Sequence, residues 1–181
     1  MKITHLTAAD FRTSCWSGGT TTELFLYPED GNYAARNFLF RISSATVDLA
    51  ESDFTPLPGV ERYITPLQGT FTLTHPGQSA VFLEPLAAPY RFSGGIPTHC
   101  AGRATDFNLM LKGCDGRMAL HHTTAPIEPG FNGFYPTEDT IFTLGDRQFE
   151  MKKGDLLVIF SDESATLSLG CAPTLTCWVN I

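Results

Sequence analysis

Two arginines set in apolar sequence carry most of the chemical potential of this chain. Arg41 lies among Phe38, Leu39, Phe40 and Ile42, where a guanidinium needs a buried acceptor, and Glu23 is an internal candidate. Side chains alternate along a strand, so Ser43 shares a face with Arg41, and Thr21 shares one with Glu23. Arg62 is the second cation. Asn108 stands opposite Phe107 and Leu109 on its own strand, where an amide either bonds a ligand or ties down a loop. A guanidinium presents a planar donor fork that matches a carboxylate. The chemistry open to these residues is therefore anion binding, or an internal ion pair that leaves nothing for a ligand.

Other groups support less. Trp16-Ser17-Gly18-Gly19 offers an aromatic wall beside a turn, but it is too short for a phosphate loop, and Gly-Gly serves any turn that needs positive φ. His121 and His122 are adjacent, so on a strand they point to opposite faces, and no third ligand stands at zinc-like spacing. His99, after Gly94-Gly95-Ile96-Pro97, is the best general-base candidate, while Cys100 beside it has no neighbouring cation in sequence to favour a thiolate. No paired nucleophile and base can be assembled, so no catalytic residue is assigned.

The elements that position these groups are strands. Charged residues make up 17% of the 181, Lys occurs 4 times and Thr 22 times, a composition poor in helix-surface residues and rich in one that favours pleated surfaces. Apolar alternation bounded by Gly, Pro and Asp predicts strands at 20–27, 38–47, 62–67, 70–74, 80–83, 105–111, 140–143, 148–151, 155–160, 165–169 and 175–179. Such a series means an all-β sandwich or barrel. Residues 112–116 and the Pro- and Thr-containing stretch 121–130 read as a crossing segment between a larger first half and a smaller second half. The halves share a faint strand-turn-strand repeat, Leu67-Gln68-Gly69-Thr70-Phe71 against Met151 to Leu156.

The net charge of −7, without a basic cluster, argues against nucleic acid as a partner. No apolar run approaches the length of a membrane span, and no signal core follows Met1, so no membrane partner and a cytoplasmic location are expected. Five cysteines without a Cys-x-x-Cys pair read as reduced thiols.

Five stretches occur in one order: Trp16-Ser17-Gly18-Gly19-Thr20-Thr21-Thr22-Glu23-Leu24; Phe40-Arg41-Ile42-Ser43-Ser44-Ala45; Phe54 with Pro58-Gly59-Val60-Glu61-Arg62; Phe92-Ser93-Gly94-Gly95; and Asp106-Phe107-Asn108-Leu109-Met110. Together they resemble the signature blocks of the HutD/Ves family of cupin-like proteins, over about residues 3 to 112. The resemblance implies a cupin-type double-stranded β-helix, or jelly roll, with two cupin-like halves in one chain, 1–112 holding the pocket and 113–181 packed with it. For the HutD branch it also implies an association with histidine degradation, described as regulatory, without established catalysis.

Metal-binding cupins carry a pattern H-x-H-x(3–4)-E-x(6)-G, two imidazoles and a carboxylate around a divalent cation. Counting back from Gly69 places Arg62 at the carboxylate and Pro56 and Pro58 at the histidines, none of them a ligand, while the later histidine falls near Tyr90. A metal-free, cofactor-free site is expected, with a guanidinium where a cation would sit. The ligand would be a small carboxylate, such as the histidine-breakdown intermediate formiminoglutamate. Arg62 and Arg41 would neutralise it, Thr21, Ser43 and Asn108 would orient it, and Trp16, Tyr90 and Phe92 would wall the cavity, with Glu23 beside Arg41. Two alternatives stay open: a metal-independent isomerase or hydrolase with Glu23 or His99 as base, and a non-catalytic scaffold or stress-related protein of the Ves type. Association as a homodimer is also left open.

Overall fold

The computed structural model describes residues 1–181 and contains nineteen strands and no helix. The chain is all-β, with a cupin-type fold. It divides into two compact units, Arg12–Gly113 and a second made of Met1–Phe11 with Cys114–Ile181.

The first strand, β1 (Lys2–Leu6), belongs to the second unit. The Arg12–Gly113 unit holds β2 (Arg12–Trp16), β3 (Gly19–Tyr27), β4 (Phe40–Val47), β5 (Glu51–Asp53), β6 (Val60–Gly69), β7 (Phe71–Thr74), β8 (Val81–Leu83), β9 (Tyr90–Ser93), β10 (His99–Ala101) and β11 (Ala104–Lys112). They form a six-stranded sheet in the order β2-β3-β4-β11-β6-β9 and a four-stranded sheet in the order β5-β10-β7-β8. Ile64 and Phe92 from the first sheet meet Phe71, Leu73, Leu83 and Cys100 from the second in one buried cluster. Full burial of each such aliphatic or aromatic side chain contributes about 1.5–3 kcal/mol. The β6–β7 turn needs Gly69: its φ is 76°, and a Cβ there would lie 2.3 Å from the Arg103 carbonyl oxygen.

In the second unit, β12 (Gly116–His121), β13 (Thr124–Ile127), β14 (Gly130–Pro136), β15 (Thr140–Leu144), β16 (Arg147–Met151), β17 (Leu156–Ser161), β18 (Ala165–Ser168) and β19 (Thr174–Val179) join β1. The sheets run β1-β17-β14-β19-β12 and β13-β18-β15-β16. Phe134, Phe142, Met151, Leu157 and Leu167 fill the space between them, with Phe134 and Phe142 edge to face at 6.5 Å.

All eleven predicted strands are present. Of the residues read as a crossing segment, 124–127 form β13, and β12 lies between the two parts of that stretch. Pro126 lies in β13, which pairs only with β18, and an edge strand tolerates a residue that cannot donate to the ladder. Residues 1–11, placed with the first half on sequence, pair with the second: Ile3 lies opposite Ile159, and His5 Nε2 is 2.8 Å from Asp155 Oδ2. All five cysteines are free.

Candidate functional site

The inner face of the six-stranded sheet carries a polar patch that the registers build row by row. Arg41 of β4, Met110 of β11, Arg62 of β6 and Phe92 of β9 are cross-strand neighbours. In the next row stand Glu23, Ser43, Asn108 and Ile64, and beyond them Thr21, Ala45, Asp106 and Pro66. Alternation puts all three rows on one face. Two irregularities shape them. The β3–β4 register shifts between Glu23 and Phe25, which sets Glu23 diagonal to Arg41, and the β11–β6 register shifts between Thr105 and Asp106.

Above these rows lies a cavity of about 530 Å³, lined among others by Trp16, Thr21, Arg41, Ser43, Arg62 and Asn108. Trp16 is held there by the double glycine: its ring covers Gly18, where a Cβ would come within 2.1 Å of it, and the Thr46 carbonyl approaches Gly19 too closely for any side chain. The turn reading and the wall reading of Trp16-Ser17-Gly18-Gly19 thus describe one arrangement.

The two arginines are held differently. Arg41 donates from Nε to Glu23 Oε2 at 2.7 Å and stacks on Tyr33 with Cζ 4.0 Å from the ring centre. The acceptor suggested by the apolar setting of Arg41 is in place, so its charge is already met. Arg62 is 7% exposed and in no ion pair; Glu61, its neighbour in the chain, pairs with Arg91 at 2.9 Å, and Glu23 is taken by Arg41. Its Nε and Nη2 donate to Asn108 Oδ1 at 3.3 and 3.0 Å, and its plane lies 4.7 Å from the Phe54 ring centre and 5.2 Å from that of Phe92. A buried guanidinium whose direct acceptor is a neutral amide retains most of its capacity for an anion.

Asn108 links Arg62 to a group not singled out on sequence. Its Nδ2 donates to Asp106 Oδ1 at 3.3 Å. Asp106 is 4% exposed, and burial pushes its carboxyl up to about 6, against the opposing pull of the Asn108 hydrogen bond, the Arg62 charge and the Ala45 amide. Strand alternation from Asn108 was the signal that could have found it. Phe54, Tyr33, Met110 and Ser52 also line or cap the cavity, and Ser52 Oγ is buried without a hydrogen-bond partner.

Three of the nominated residues lie outside the lining. Glu23 meets the site only through Arg41, and Phe92 lies beneath Arg62. Tyr90 is a correction: it stacks on His75 at 5.9 Å and packs into the apolar cluster, because on β9 it lies opposite Ile64. His99 is also elsewhere, its Nδ1 2.9 Å from Asp53 Oδ1 at a second cavity. Burial pushes the Cys100 thiol up to about 12, and Asp106 adds to the effect, so Cys100 is no nucleophile.

A metal does not fit the Arg62 cavity. Two guanidiniums face it, no imidazole lines it, and no group of three His, Cys, Asp or Glu in the chain is placed to hold an ion. Protein purified without added metal is expected to contain well under one Zn, Fe, Mn or Ni per chain. Elemental analysis finding one equivalent, lost in a Tyr90→Phe variant, would overturn the placement of Arg62 at the carboxylate position.

The HutD family model matches residues 8–177. This chain belongs to the HutD family. The match extends the resemblance seen on sequence, which faded near 112, through the second unit. A search of curated proteins finds no match to this HutD-family chain. Among solved structures, a conserved protein of unknown function, PA5104 from Pseudomonas aeruginosa PAO1, is 20% identical with a TM-score of 0.88 over all of both chains. HutD from Pseudomonas fluorescens SBW25 is 21% identical with a TM-score of 0.81, over 99% of this chain and 100% of that one. The nickel(II)-bound pirin YhhW of Escherichia coli is 10% identical with a TM-score of 0.66, covering 98% of each. At these identities the likeness is one of fold.

Proposed function

We propose that this HutD-family protein binds a small carboxylate in the Arg62 cavity and acts through that binding, without catalysis, in the regulation of histidine degradation. The observation that carries the reading is Arg62 itself, buried, cavity-lining, and bonded directly only to the amide oxygen of Asn108. Ser43, Thr21 and Ser52 supply hydroxyls on the same walls, and Trp16 an aromatic one. The ligand sits as its carboxylate on the free donors of Arg62, with histidine-breakdown intermediates such as formiminoglutamate first in line. Family membership supports the pathway, and the absence of a nucleophile-base pair at the cavity supports a sensor over an enzyme. Five free cysteines suit a cytoplasmic location.

A metal-independent isomerase or hydrolase is the second reading, favoured by the His99–Asp53 pair at 2.9 Å. Asp53 lines both cavities, whereas His99, the base of the pair, lines only the second and not the one holding Arg62.

A thermal-shift panel of carboxylates tests the proposal. A ligand at about 100 times its Kd adds about 2.7 kcal/mol, which for a chain of this length raises the midpoint by about 5–10 °C. If no carboxylate at millimolar concentration shifts the midpoint, the protein is a non-catalytic scaffold and Arg62 has no ligand.

A further inference from the structure

The strand β2 stands at the edge of the six-stranded sheet, and all five of its residues are exposed. Its only ladder partner is β3, in an unbroken register from Arg12–Glu23 to Trp16–Gly19. In such a pair every second residue turns its N–H and C=O away from the partner, so the outer side of β2 presents backbone donors and acceptors to another extended strand. Edge strands are ordinarily guarded by lysine, proline, a bulge or shortness. β13 has Pro126, and β5 and β8 are three residues long, whereas β2 has none of these guards.

The sequence of β2 fits itself. Antiparallel pairing of two copies about Ser14 sets Ser14 on Ser14, Thr13 on Cys15 and Arg12 on Trp16, and it engages the whole strand whichever alternate set of backbone groups faces outward. Both members of the Arg12–Trp16 pair are available. Arg12 is in no ion pair, since its cross-strand neighbour Glu23 is held by Arg41, and Trp16 is 41% exposed. A guanidinium set on a tryptophan gains a cation–π contact.

We infer that β2 is a self-association edge, through which two copies of this chain join their six-stranded sheets into one continuous antiparallel sheet. Ser14 and Trp16 also line the Arg62 cavity, so the pairing brings Arg12 of one copy to the rim of the other copy's cavity, one strand spacing of about 4.8 Å from Trp16. The pairing follows from the strand alone and stands whether or not that cavity takes a carboxylate. A strand of this length buries less than the ~1,200 Å² of a stable interface, so the dimer is weak, with a Kd of about 10 µM to 1 mM.

Sedimentation of the full chain across that concentration range is expected to show monomer passing into dimer. Thr13→Lys with Cys15→Lys sets like charges opposite each other in this register and should weaken the dimer about tenfold, whereas Thr13→Lys with Cys15→Glu sets opposite charges there and should keep it. Both positions are exposed, and thermal midpoints check that each variant folds. A cross-link carries the test on the wild type if a variant does not fold. The two Cys15 side chains lie on one face, about 7–8 Å apart on the diagonal, so a short bis-maleimide should link the copies, and Cys15→Ser should abolish the link. A monomer at every concentration would overturn the assignment. So would a dimer that the double-lysine variant leaves undiminished, or a cross-link that survives Cys15→Ser, either of which places the interface elsewhere on the surface.

Discussion

An Arg62→Lys variant is expected to fold as well as the wild type and to bind its carboxylate about 10- to 150-fold more weakly. Lysine keeps the charge and loses the fork, and with it a second parallel hydrogen bond to a carboxylate. The ligand-free protein has no ion pair at Arg62 to break. Arg62→Ala leaves Asn108 Oδ1 without its donor, a cost of about 1–3 kcal/mol, and takes away the charge that draws the buried Asp106 carboxyl down. Arg41→Ala is the contrasting case. It strands Glu23, whose side chain is 22% exposed, so it should destabilise the ligand-free protein more than Arg62→Ala does while affecting carboxylate affinity less. Urea unfolding of the three variants without ligand, with titration of whichever carboxylate the panel identifies, separates the outcomes. A stable Arg62→Lys that binds as tightly as wild type removes Arg62 from the site.

The second large effect is expected at Asp106. Its carboxyl rises from the ordinary 3.8 to about 6 in the folded state, so the native protein holds the proton more tightly than the unfolded chain does. The sign follows directly: the contribution to stability is full below about pH 4 and is lost as pH rises through about 6. The loss approaches about 3 kcal/mol by pH 7. Asp106→Asn keeps an acceptor for the Asn108 amide and removes the titration. It should be the more stable protein at pH 7 and lack the decline that wild type shows between pH 4 and 7. The measurement is urea unfolding at pH 4.5, 6 and 7.5. If the two proteins decline in parallel, some other group carries the pH dependence.

The strands that sequence showed plainly are those whose apolar alternation is uninterrupted. β4, β11 and β17 were legible because Phe40, Ile42, Leu109 and Leu157 sit where the period requires. β14 was not, since Gly130, Asn132, Gly133 and Pro136 each signal a turn while its two neighbours, β17 and β19, supply the order. At the site, alternation correctly united Arg41 with Ser43 and Thr21 with Glu23, but faces alone do not say which residue a cation bonds. The partners of Arg62 depend on register: Met110 is its cross-strand neighbour, and Asn108 reaches it diagonally. Tyr90 went astray for a related reason. Counting from a metal motif assumes a fixed chain length between positions, whereas the pairing of β9 with β6 sets where that side chain lies. Phe54 follows β5 in a loop, where no period operates.

The pairing of β1 with β17 joins residues about as far apart in sequence as the chain allows, Leu6 with Leu156. During synthesis the Arg12–Gly113 unit is complete on the ribosome while β1 still waits for a partner that has not been made. Until they meet, β17 offers an open edge carrying Leu156-Leu157-Val158-Ile159-Phe160, the most apolar run in the chain and a template for pairing between molecules. The first strand is thus the cover of an aggregation-prone edge, and trimming the N-terminus strips that cover from the unit at the other end of the sequence.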